Sequence, residues 1–319
     1  MMKKKIVSLV LAFMLCLSCV SALAAEAWTV TCPWAPSGVA AMVNQKAASL
    51  STTYSQDYVL VANAEKGDTA TINSWLTKYT EADPQMCFIG EGMFGITAIL
   101  DPERMNFTYD DFEYVENLYS SIFVASARKE LGLTSIDALK AYLEDGNQIM
   151  VGTNGATGSE AFLAAALIGA MGYGDQFYLI PYESAAEAAQ AVARGEVDIA
   201  VSHQSQILET WQQGGVDVFA AFDGEPIAQG PFKGVEGVGQ YGYPYFRNRC
   251  FIFAKAGADE QKIADLKALY AQILTDEEMV DWLNNTMLLE ADMMTEEEVI
   301  AHIDNVKNIV EEYYDLVAE

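Results

Sequence analysis

The sequence predicts an α/β protein with largely parallel sheets. Three observations carry this. Short apolar runs alternate with helical patterns along the whole chain, as "WTVTCPW", "DYVLVAN", "QIMVGTN" and "VDIAVS" are each followed by a helix-style segment. Several of these runs end in loops of small residues, "PWAPSG" and "GTNGATGS" above all. Capping signals also recur at the starts of the helical segments.

The first 24 residues stand apart. Lys3 to Lys5 form a basic start, Ile6 to Leu17 an apolar core too short to cross a bilayer, and Ala22-Leu23-Ala24 a small-x-small cleavage signal. This is the pattern of a secretory signal peptide, residues 1–24, and predicts an exported protein, periplasmic or at the cell surface. Cys19 offers an alternative, a lipidated N-terminus, although Cys16-Leu17-Ser18 lacks the usual upstream leucine.

The elements follow in order. Strands are expected at Trp28–Trp34, Asp57–Asn63 and Met86–Gly92, with helices after the first two. Two more strands are expected near Val115–Leu118 and Ser121–Ala127. Ser135–Asp145 reads as a helix with Thr134 and Asp137 as start signals. "QIMVGTN" is a strand that runs into "GATGS" and the helix "SEAFLAAALIGAMG". "FYLIPY" is a strand, and Ser184 with Glu187 forms a capping box for "SAAEAAQAVARG". Val197–Ser202, "VDVFAAF" and Cys250–Ala256 complete the strands. Three helices close the chain, the last two opened by Thr275/Glu278 and Thr295/Glu298.

Composition narrows the function. The 319 residues carry a net charge of −27, which argues against nucleic acid, because a phosphate backbone needs a basic face. Cys32, Cys87 and Cys250 lie far apart in apolar runs and read as buried free thiols. No Cys/His cluster suggests a metal, and no cofactor motif is present. Two histidines and the lack of G-x-S-x-G point away from an enzyme.

The stretch Val151–Phe162 is the most informative. A helix start leaves backbone N–H groups unpartnered and adds the positive end of the macrodipole, and small residues let an anion approach it. An ordinary N-cap at Thr157 or Ser159 is the plainer reading of the same residues.

The chain resembles the Bug-type extracytoplasmic solute receptors of the tripartite tricarboxylate transporters. "VTCPWAPSG" is similar to the family's strand and P-[FW]-x-P-G-G loop, and "VGTNGATGS" to its G-[ST]-x-G loop. "IPYESAAEAAQAVARGEVDIAVS" matches its V-P-Y-x-G, helix, G-x-V-D segment through Pro181, Tyr182, Gly195 and Asp198. The resemblance runs from about Val30 to near the C-terminus. It implies a two-lobed periplasmic-binding-protein fold of the type II, Venus-flytrap kind. Two crossovers are expected, near Ser121–Ala127 and Cys250–Lys255. Lobe 1 would hold residues 25–122 and 252–319, and lobe 2 residues 123–251.

It also implies a receptor, not an enzyme, that captures a small carboxylate such as a di- or tricarboxylate between the lobes. The receptor would be a monomer that delivers its ligand to membrane subunits of the transporter. A sensory receptor for a membrane signalling partner is the alternative in partner, and an amino-acid-like ligand the alternative in substrate. The implied ligand-binding residues are Ser37 and Gly38 in the first loop and Asn154, Gly155, Ala156, Thr157 and Ser159 in the second. Trp34 is a candidate cleft wall, Tyr182 a phenolic donor and His203 a strand-end contact. The sequence departs from the family pattern at Ser37, at Ala41, in Gly90-Glu91-Gly92, and at Arg247 and Arg249. Of the two arginines, one is expected to face the cleft and pair with a carboxylate. Glu91 would be either a solvated loop carboxylate or the partner of a ligand ammonium. His302 is expected to be structural.

Overall fold

The computed structural model describes residues 25–317. The signal-peptide and lipidation expectations at residues 1–24 lie outside that range. Among the described residues, ten strands form two five-stranded sheets. The first contains β1 (Glu26–Cys32), β2 (Tyr58–Ala64), β3 (Gln85–Gly90), β4 (Phe112–Ser121) and β10 (Asn248–Lys255), in the order β2-β1-β3-β10-β4. The second contains β5 (Phe123–Arg128), β6 (Ile149–Asn154), β7 (Phe177–Tyr182), β8 (Ile199–His203) and β9 (Val216–Ala221), in the order β7-β6-β8-β5-β9.

The two sheets share one topology. In the first, β1 sits between β2 and β3 in parallel; in the second, β6 sits between β7 and β8 in parallel; in each, a strand arriving from the other half, β10 or β5, enters antiparallel. Parallel strands need helical crossovers, which explains the alternation in the sequence. The chain changes sheets at Ile122, between β4 and β5, and again through residues 222–247, between β9 and β10. β10 pairs with β3 from Cys250 and with β4 from Asn248, so the first sheet begins a few residues before the expected boundary at 252.

The main helices are α1 (Val39–Tyr54), α2 (Thr69–Lys78), α3 (Ile136–Glu144), α4 (Ser159–Ala170), α5 (Ala185–Ala193), α6 (Gln204–Gln212), α7 (Glu260–Leu274), α8 (Glu277–Asp281) and α9 (Glu296–Glu312). α4 is buried along nearly its whole length, as a helix apolar on all sides must be. α9 serves both halves. Val299 and Ile303 pack with Phe251 and Phe253 of the first sheet, whereas Val306 and Val310 pack with Phe162, Leu163 and Phe219 of the second. The C-terminal segment is therefore a third link between the halves and not part of lobe 1 alone.

Capping differs in places from expectation. α3 is capped by Ser135, whose side chain accepts from Ala138 N–H, and α8 by Asp276, which accepts from Met279 N–H. Thr275 instead donates to the carbonyls of Ala271 and Gln272. Ser184 caps α5 by accepting from Glu187 N–H, but Glu187 accepts from Glu183 N–H, so the box closes one residue early. Thr295 and Glu298 form the full reciprocal box at α9. Thr295→Ala is expected to cost about 1 kcal/mol, read as a shift of the denaturant midpoint at unchanged slope. Cys32, Cys87 and Cys250 are buried free thiols.

Candidate functional site

The C-terminal ends of β1 and β3 face those of β6, β7 and β8 across a cleft of about 370 Å³. Loops at strand C-termini are where open α/β sheets place ligands. One wall is Pro33, Trp34, Ala35 and Gly38, with Lys66 to Asp68 and Glu91 to Met93. The other is residues 154–160, Tyr182 to Ala185, His203 and Gln206.

Helix starts converge here. The first residues of α1, α4 and α5 line the cleft, and His203 stands immediately before α6. Gly38 and Gly158 precede α1 and α4, and neither helix has a side-chain cap. Their first-turn N–H groups and dipole ends are thus left to the cleft. Ser159 is not the N-cap. It is the first helical residue of α4, and its hydroxyl donates to Glu91 Oε1 at 3.0 Å. Gly155 holds φ +73°, a left-handed turn in open space that glycine adopts without strain.

Among the described residues, three bonds cross the cleft. Besides Ser159 to Glu91, Arg104 Nη1 donates to Thr157 Oγ1 at 2.9 Å, and Lys66 Nζ pairs with Glu183 at 2.7 Å. Glu91, Arg104 and Lys66 follow β3 or β2, and Ser159, Thr157 and Glu183 follow β6 or β7, so the halves are in contact.

Glu91 is not solvated. It is 0% exposed, and each of its oxygens accepts two hydrogen bonds: Oε1 from Ser159 and Asn248 Nδ2, Oε2 from Asn248 Nδ2 and Arg249 N–H. Burial pushes its pKa up, and these donors pull it back. Burial likewise raises Asp68, against the Arg104 charge. Burial pushes Glu160, the second residue of α4, up to about 7, opposed by its own backbone N–H, with the charges of Glu91 and Asp68 adding to the rise. His203 is held down at about 3 by burial, with Nδ1 2.8 Å from Ser121 Oγ, so it stays neutral.

Trp34, Gly38, Glu91, Asn154, Gly155, Ala156, Thr157, Ser159, Tyr182 and His203 all line the cleft. Ser37, Arg247 and Arg249 do not. Ser37 sits within the turn closed by Gly38 N–H on the Ala35 carbonyl and does not reach the cleft lining. Arg247 pairs with Asp223 and Glu290, and Arg249 with Asp292 and His302 Nδ1. Side chains two apart on a strand share a face, so both arginines turn away and Asn248 between them turns in. His302 serves that Arg249 cluster, a structural position. The cleft's cations are instead Arg104 and Lys66, which the sequence reading missed along with Glu160, Asn248 and Gln206. Arg104 lies in a short 3-10 turn with no local signal of its reach.

Two matching sheets joined by crossovers, with helix starts aimed into the cleft between them, define a two-lobed solute-binding protein. The model of the tripartite tricarboxylate transporter family receptor matches residues 56–309, and the chain belongs to that family. It is an extracytoplasmic solute receptor, not an enzyme. Solved structures agree on the fold. The periplasmic binding protein BugD is 16% identical over 92% of this chain and 98% of its own, with a TM-score of 0.78. MatC from Rhodopseudomonas palustris with bound malate is 17% identical over 91% and 98%, at 0.75. Rpa4515 from R. palustris with adipate is 16% identical over 91% and 96%, at 0.79. Among curated protein sequences, none matches the chain.

Proposed function

We propose that the cleft captures a small organic carboxylate and that the receptor, as a monomer, hands it to the membrane subunits of a tripartite tricarboxylate transporter. The observation that carries this reading is the pair of helix starts without side-chain caps, α1 and α4, one on each side of the same cleft. Backbone N–H groups there offer donors to carboxylate oxygens. The related structures with malate and adipate support it. Trp34 and Tyr182 would wall the ligand, Thr157 would add a hydroxyl, and Arg104 would supply the charge-assisted contact assigned in the sequence to Arg247 or Arg249.

A thermal-shift screen of Ala25–Glu319 against mono-, di- and tricarboxylates and amino acids tests this. Ligand at a hundred times its Kd stabilises the folded state by about 2.7 kcal/mol. Arg104→Gln is expected to weaken the best ligand about tenfold, the loss of one charge-assisted bond. No shift with any acid would overturn the carboxylate reading.

A further inference from the structure

The charge of the cleft does not suit a plain polyanion. Asp68, Glu91, Glu160 and Glu183 line it against Lys66 and Arg104. Both cations are already engaged, Lys66 with Glu183 and Arg104 with Asp68, Asp101 and Thr157. Glu91, the residue singled out for an ammonium group, has its acceptor capacity filled by protein donors.

Glu160 is different. It is 6% exposed and lines the cleft, yet among the described residues its one donor is its own backbone N–H, with no hydrogen bond or ion pair from another residue. A buried carboxylate with no cation and only its own N–H as donor is costly unless something else supplies a partner. Two more acceptors in the cleft lining are idle. The amide nitrogen of Asn248 is committed to Glu91, which fixes its orientation and leaves Oδ1 without a donor; Gln206 Oε1 is likewise unpartnered. Unfilled acceptors in the same cleft as this carboxylate suit a group with several N–H donors and a positive charge.

We propose that Glu160, with Asn248, forms a subsite for a ligand ammonium group, so that the captured carboxylate is an amino acid. The inference rests on the carboxylate reading for the other end of the ligand. The α4 helix start and Arg104 would hold the carboxylate, and Glu160, one residue into the same helix, the ammonium. A zwitterion answers both at once, whereas a dicarboxylate would bring a second negative charge towards Glu160.

Titration calorimetry of Ala25–Glu319 with matched probes tests it: succinate against L-aspartate, glutarate against L-glutamate, propionate against L-alanine, and putrescine as an amine without a carboxylate. In at least one pair the amino member is expected to bind at least about tenfold tighter. Glu160→Gln should shrink that difference to about twofold. Equal binding within every pair, or tighter binding of the amine-free acids, overturns the subsite and leaves the carboxylate reading standing. Binding of putrescine with silence from every acid keeps the subsite and overturns the carboxylate reading. Silence from all probes overturns both. The wild-type comparison decides the matter even if Glu160→Gln folds poorly.

Discussion

Gly92→Val is expected to weaken ligand binding by about a hundredfold while leaving the ligand-free melting temperature within about 2 °C of wild type. Gly92 follows β3 and faces the first turn of α4 across the cleft. A Cβ there would lie 2.7 Å from Ser159 Oγ and 3.8 Å from Ser159 N. Its backbone, at φ −62° and ψ −30°, accepts any residue, so the substitution strains the contact and not the chain. A lone methyl could be met by rotating the serine hydroxyl away from Glu91. The extra methyl groups of valine press on the helix start itself and push the halves apart. A ligand held from both sides binds only the closed form, and affinity falls with the fraction of protein able to close. Calorimetry gives the loss, and small-angle scattering of the ligand-free variant gives a larger radius than that of the liganded wild type. Wild-type affinity in Gly92→Val would mean that the contact between Gly92 and Ser159 is no part of the bound state.

The sequence carried the scaffold of this site well, because its signals are local. β6 is a short apolar run, and the small residues after it suit a close-approach loop at a helix start, so the Asn154–Ser159 wall was legible. So was Trp34 with Gly38, placed by the same logic at the end of β1. What was not legible depends on how distant segments meet. Glu160 reads as an ordinary acid in the first turn of a helix, where the dipole favours it. Only the approach of the loops after β2 and β3, bringing Asp68 and Glu91, turns it into a buried carboxylate with no donor from another residue. Arg104 belongs to a short turn whose side chain reaches Thr157, over fifty residues away. The two arginines of "YFRNRC" looked like anion binders because nothing local reveals Asp223, Glu290 and Asp292, which claim them. Strand periodicity, applied strictly, would have put 247 and 249 on one face and drawn attention to Asn248.

Glu160→Gln should stabilise the ligand-free receptor, and more so as pH rises. The folded value of Glu160 is about 7, above its ordinary 4.5. The folded state therefore holds this proton more tightly than the unfolded chain does. Its stabilising contribution is complete below pH 4.5 and is lost as pH rises through 7, a total of about 3 kcal/mol by linkage. The histidines run the other way. His203 and His302 are both held at about 3 by burial, so their contribution is present above 6.5 and lost as pH falls. Between pH 7 and 9 the histidines are silent, and Glu160 dominates the difference between wild type and Glu160→Gln. Urea unfolding of the two proteins should diverge by about 1 kcal/mol between pH 6 and pH 9, with the variant the more stable throughout. Parallel profiles would mean that Glu160 ionises as an exposed carboxylate does. The same substitution that stabilises the empty receptor is expected to cost it the preference for an amino ligand. A buried charge kept at the expense of stability is what a binding site retains when the ligand supplies the missing partner.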